Sequence, residues 1–116
     1  MPCDSRITMT VDIENVNFNI DRLRKAVEAG ALSYVDIPEG IQITDGTYTV
    51  TVQKGKPAKL SQSALYGQKN IDAGGDAFVK RIKTLYANQS VVDTAKRFGW
   101  QVKRLADDRL VLERGY

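Results

Sequence analysis

Gly40 to Gln53, GIQITDGTYTVTVQ, places two alternating runs on either side of Asp45-Gly46. An Asp-Gly pair tolerates the positive φ angles of a tight turn. Ile41 and Ile43 on one arm and Tyr48, Val50 and Val52 on the other then fall on one side of the ribbon. This is a β-hairpin with one buried face, and the rest of the chain has to cover that face.

Candidates for the cover lie on both sides of the hairpin. Arg6 to Ile13 alternates Ile7, Met9, Val11 and Ile13 with polar residues, the period-two pattern of a half-buried strand. Asn19 can cap a helix with Ile20, Leu23, Ala26 and Val27 on one side, and Gly30 is placed to supply a left-handed stop. Leu32 to Ile37 is short and β-prone and ends at Pro38. Later, Asp76 can cap a helix carrying Phe78, Val79, Ile82, Leu85 and Tyr86 on one face. Ser90 with Asp93 three positions on resembles a capping box, followed by an apolar stripe of Val91, Val92, Ala95 and Phe98 and a stop at Gly99. Residues 76–98 therefore form one kinked helix or two helices meeting near Asn88. Between these regions, residues 54–75 show no sustained period and read as a long basic loop, mobile or functional, which Leu60, Leu65, Tyr66 and Ile71 could pin to the core.

The last segment has two readings. Leu110, Val111 and Leu112 favour a strand that can pair with Trp100 to Arg104, giving a terminal hairpin. With helical period, Val102, Leu105, Ala106 and Leu110 share a side. Ala95, Gly99 and Leu105 then sit where a helix-turn-helix places a small residue, a turn and a core contact. Trp100 is an odd opener for a recognition helix, and Asp107 and Asp108 would repel phosphates, so the hairpin is preferred. The expected fold is α+β: a single domain over residues 1–116, with a mostly antiparallel sheet built from the N-terminal strand, the Asp45-Gly46 hairpin and the terminal hairpin, and helices packed on one face.

Phe78, Ile82, Tyr86-Ala87, Val91, Ala95-Lys96, Gly99-Trp100 and Val102, then Leu110, Leu112 and Arg114, resemble the C-terminal part of a family. It is the small uncharacterised open-reading-frame family of cyanobacteria and red-algal plastid genomes, with relatives in other bacteria and phages. The resemblance covers about the last third of the chain, with Trp100 at a position usually held by Phe. It implies a helix running into a glycine and then a terminal β-hairpin, and it brings no activity and no functional residues with it.

Composition excludes several kinds of chemistry. The 116 residues contain no histidine, which removes Ser/His and Cys/His triads, the common zinc-hydrolase ligand sets and the usual general base near neutral pH. Cys3 is the single cysteine, so no intrachain disulfide and no Cys-rich metal site can form, and a reducing compartment fits. The start, MPCDSRITMTVDIE, has no basic or apolar leader region, and no window approaches the roughly 18 apolar residues of a membrane span. The expectation is a cytoplasmic protein that is not an enzyme, with no membrane association, no metal and no cofactor.

Charge is the remaining clue. Residues 1–53 carry four Lys/Arg against eight Asp/Glu, whereas residues 54–104 carry eleven against three. The basic block comprises Lys54, Lys56, Lys59 and Lys69 in the expected loop, Lys80, Arg81 and Lys83 on the helix, and Lys96, Arg97, Lys103 and Arg104 beyond. Such a block either forms a solvated face or meets an acidic protein or nucleic acid, and opposite signs on two halves of one domain also suit self-association. The leading reading is a non-catalytic accessory or protein-interaction module. Nucleic-acid binding by residues 54–104 comes second, and a small-molecule- or nucleotide-binding protein third. Weaker signals add little. GKPAK lacks the spacing of a phosphate loop, Asp72 with Asp76 and Asp107 with Asp108 read as cap and turn chemistry, and Tyr34, Tyr48, Tyr66 and Tyr86 could stack on bases but suit a core as well.

Overall fold

In the computed structural model, which describes residues 6–13, 16–65, 68, 70–104 and 110–114, nine elements follow in order. They are β1 (Arg6–Asp12), α1 (Ile20–Ala29), β2 (Ser33–Ile37), β3 (Gly40–Thr44), β4 (Tyr48–Gln53), β5 (Lys59–Leu65), α2 (Ala73–Arg97), β6 (Trp100–Arg104) and β7 (Leu110–Arg114). The first five strands form one antiparallel sheet in the order β1-β5-β4-β3-β2, and β6 and β7 pair in a separate two-stranded sheet. The α+β class expected from sequence is the class observed.

The Asp45-Gly46 hairpin joins β3 to β4. Gly46 takes a φ of 95°, and the Asp45 carboxylate accepts from the backbone N–H groups of Thr47 (2.9 Å) and Tyr48 (2.8 Å). Its register sets Ile43 opposite Val50 and Ile41 opposite Val52, and β5 adds Leu60 opposite Val50. Onto this apolar face α1 sets Leu23 and Val27, and α2 sets Phe78 and Ile82. The opposite face is mostly polar. Thr10 and Ser61 bond across strands at 3.0 Å, Thr49 donates to Thr44 at 3.3 Å, and the Gln42 amide donates to Thr51 at 3.3 Å. Each of these pairs is directly opposed in the register, so the middle of the outer face is a hydrogen-bonded lattice of hydroxyls and amides, with Val35, 57% exposed, on its β2 edge.

Several expectations need correction. Residues 54–75, expected as a long basic loop, supply β5, which lies between β1 and β4. Its period-two pattern was hidden because an inward position is held by Gln62, a polar residue only 5% exposed. The terminal hairpin exists but does not join the main sheet, and its strand β6 removes the helix-turn-helix reading. The long helix is continuous and starts earlier than expected, capped by Asp72 rather than Asp76. Ser90 and Asp93 make no capping box. The Ser90 hydroxyl donates to the Tyr86 carbonyl (3.1 Å) and Asp93 pairs with Arg22. Gly30 is not left-handed either; its φ is −84°, and Ala31 takes the positive φ instead. Glycine is needed at position 30 for space, because a Cβ there would lie 2.5 Å from the Leu85 Cδ1.

The outline is elongated, 67 × 31 × 23 Å, with a radius of gyration of 16.6 Å where a compact chain of this size has about 13 Å. The 25 residues of α2 make a rod about 37 Å long. The terminal hairpin follows at its end, in contact chiefly with α2. No helix among the described residues is long and apolar enough to cross a membrane.

Candidate interaction surface

The position of the terminal hairpin depends on how α2 is held. At its start, the Asp72 carboxylate accepts from the Tyr48 hydroxyl, the Gln62 amide (2.9 Å) and the Gly74 N–H (3.1 Å). The Tyr48 hydroxyl, then the Gln62 amide, holds the Asp72 carboxyl below its ordinary range. The same bond, with burial and the adjacent charge, pushes Tyr48 up to about 12. Gly75 allows the first turn to approach the sheet, since a Cβ there would be 2.5 Å from the Ile71 Cγ2 and 3.0 Å from the Leu60 Cδ2. Further along, α1 clamps the helix from the side. The Arg81 guanidinium donates to the Gly30 carbonyl (3.2 Å), the Tyr86 hydroxyl accepts from the Asn19 N–H (2.9 Å), and Phe18 meets Tyr86 edge-on at 4.9 Å.

Asp93 marks the end of this support. Arg22 donates to it at 3.1 Å and Gln89 at 2.9 Å. Burial pushes the Asp93 carboxyl up, but the Gln89 and Arg22 bonds together hold it below its ordinary range. Beyond Asp93 the helix overhangs the body, turns at Gly99 (φ 76°) and gives rise to β6 and β7, whose main contact with the rest of the chain is the end of α2.

The overhang carries apolar side chains into solvent. At roughly 100° per residue, Lys80, Lys83, Ala87, Val91, Thr94 and Phe98 lie on one outward stripe, and all six are exposed. The stripe is basic at the start and apolar at the end, where Val91 is 40% exposed and Phe98 72%. Trp100, 39% exposed, stands beside them on β6. Together with Ser90, Thr94 and Ala95 these three residues enclose a groove of about 560 Å3. Of the six exposed large hydrophobics among the described residues, three line this groove: Val91, Phe98 and Trp100. Exposed apolar side chains scattered singly are ordinary, but a cluster around a groove marks a contact surface. Sequence reasoning placed Val91 and Phe98 in a core-facing stripe with Val92 and Ala95, and only the latter two are buried.

The basic block does not form one patch. Lys59 lies on the polar outer face of the sheet, opposed to Asp12 and Thr51 in the register, on the far side from both helices. Lys54 and Lys56 border a cleft of about 700 Å3 between the β1–α1 connection, the β4–β5 turn and Tyr86. Lys80 and Lys83 are on the outward stripe of α2, Arg81 is tied to Gly30, and Lys96, Arg97 and Lys103 are exposed on the overhang and β6. Arg104 ends β6, and Lys69 lies outside the described residues. The tyrosines serve the scaffold: Tyr48 bonds Asp72, Tyr86 bonds Asn19, Tyr34 donates to Glu28, and Tyr66 lies outside the described residues. No described aromatic residue occupies the outer face of the sheet, so that face offers no stacking platform for bases.

The cleft beside Lys54 and Lys56 is the other concavity of note. Its Asn19 side chain already caps α1, accepting from the Arg22 N–H at 3.0 Å, and the Tyr86 hydroxyl is bonded. Among the described residues, no buried side-chain polar atom lacks a partner and no cluster of His, Cys, Asp or Glu could hold a metal ion. Comparison with family models, with curated proteins and with solved structures finds no match for this chain.

Proposed function

We propose that this protein is a non-catalytic interaction module of the cytoplasm, in which the five-stranded sheet and α1 hold α2 so that its last turns and the β6–β7 hairpin reach a protein partner. The observation that carries the reading is the gathering of Val91, Phe98 and Trp100 around one groove at the end of α2. Two-stranded hairpins are marginal in water unless they pack on something, and β6–β7 packs chiefly on one helix end, so a partner would complete it. Kinship with the small open-reading-frame family belongs to the same proposal, supported by Gly99 leading into a terminal hairpin.

Native lysate, treated with nuclease, passed over the wild-type protein and over Phe98→Ser tests it. A protein retained by the first and lost from the second is the expected result; retention unaffected by the substitution would remove the overhang from the function. Nucleic-acid binding is the second reading, supported by the exposed cations Lys80, Lys83 and Arg97 on the helix that leads to the exposed rings of Phe98 and Trp100. It predicts retention that disappears with nuclease and affinity that falls steeply with salt.

A further inference from the structure

We propose that the groove between the end of α2 and β6 receives an acidic amphipathic helix from the partner, laid along the outward stripe of α2. This deepens the protein-interaction reading and rests on it. The stripe runs from Lys80 to Phe98, about 27 Å, the length of a helix of about 18 residues. Its apolar end offers Val91, Phe98 and Trp100 around the groove, and its other end offers Lys80 and Lys83. Arg97, exposed near the end of α2, is seven residues on from Ser90 of the groove and so on the same side of the helix. Amphipathic helices dock in such grooves through apolar anchors at i, i+3, i+4 and i+7, and their flanking charges select the partner.

The sign of the partner follows from the carboxylates. Between Ala77 and Arg104 the chain has one acidic residue, Asp93, and Arg22 pairs with it. A complementary ligand therefore carries Asp or Glu beside its apolar anchors. A second copy of this chain fits poorly. An isologous contact through this surface would bring two patches of the same positive sign together, which is unfavourable. Nor are the acidic residues around α1 well placed to compensate, since Asp21 and Asp36 both pair with Arg24 at 2.9 Å and Glu28 accepts from Tyr34.

Trp100 is the single tryptophan and lines the groove, so its emission reports occupancy directly. Two helical peptides of about 18 residues, each with Leu at i, i+3, i+4 and i+7, one with Glu and its twin with Lys at the remaining positions, are titrated against the protein. The acidic peptide is expected to shift the Trp100 emission and to bind at least about tenfold more tightly than its twin, with affinity falling between about 50 and about 300 mM salt. Phe98→Ser should abolish binding, and the triple change Lys80→Glu, Lys83→Glu, Arg97→Glu should reverse the preference, with far-UV circular dichroism unchanged in both. Equal binding of the twins, no binding of either, tighter binding of an oligothymidylate, or a dimer that Phe98→Ser dissolves would each overturn the proposal. If the twins are not distinguished while Phe98→Ser still loses the lysate partner, the acidic helix falls and the docking surface stands. If Phe98→Ser leaves that partner bound, both fall.

Discussion

Phe78 and Phe98 stand at opposite ends of α2, about five and a half turns apart, and differ in almost everything that surrounds them. Phe78 lies in the core cluster against the sheet, with its ring stacked on Tyr48 at 6.2 Å. Phe98 projects into solvent beside Trp100. One helix thus contributes to folding through its first half and presents an apolar surface through its last turns. The change comes at Asp93, where α1 ends its support. Apolar character alone does not say which use a side chain has; what decides is whether another element of the chain lies over it.

The comparison can be broken at either end, and the largest effect should come from the body. Leu85→Ala removes a fully buried side chain packed against Gly30 and should cost about 2–5 kcal/mol in urea unfolding. Phe98→Ala, on the exposed side, should change stability by about 0.5 kcal/mol or less in the same measurement. If the two losses were similar, the overhang would be part of the core and the division drawn at Asp93 would be wrong.

The hydrogen bonds that hold α2 give a pH dependence of intermediate size. Asp72 and Asp93 have folded-state pKa values below their ordinary range, so their contributions are present above that range and are lost as pH falls through the lowered values. Thermal stability of the wild type should therefore drop on acidification, and Asp72→Asn and Asp93→Asn should each start lower at neutral pH and drop less. Tyr48 is shifted the other way. Its neutral form is favoured in the folded protein, so its contribution is complete below pH 10 and disappears as pH rises towards about 12. Tyr48→Phe should flatten that alkaline decline, and an undiminished decline would show that the Tyr48–Asp72 bond is not its source. The smallest effect should come from the outer face of the sheet, where Thr49→Val alters one hydroxyl pair and should move the unfolding midpoint by about 0.5 kcal/mol or less in either direction.

Much of the body was legible in the sequence because local chemistry and tertiary structure agree there. Asp45-Gly46 required a hairpin, Asn19 caps α1, and Arg6 to Asp12 alternates as a strand should. β5 was not legible because Gln62 occupies an inward position that its bonds to Asp72, including the 2.9 Å amide contact, and to Gln68 make tolerable, and both partners lie outside the strand. The start of α2 was misplaced for a related reason. Gly74 and Gly75 look like a break, yet they are there so that the helix can approach Tyr48, Ile71 and Leu60. The contact surface was the least legible part. Val91 and Phe98 share helical spacing with Val92 and Ala95, and nothing local reveals that α1 stops short of covering them. The cations were visible as a block in the sequence, but the fold distributes them between the sheet's outer face, the cleft and α2.

Amide hydrogen exchange of the protein alone and bound to the partner that its native lysate yields tests most directly whether the overhang is the contact surface. The account predicts slowed exchange across residues 90–103 and none in β2, β3 or β4. New protection on the sheet's outer face or around Lys54 and Lys56, with residues 90–103 exchanging as before, would contradict it.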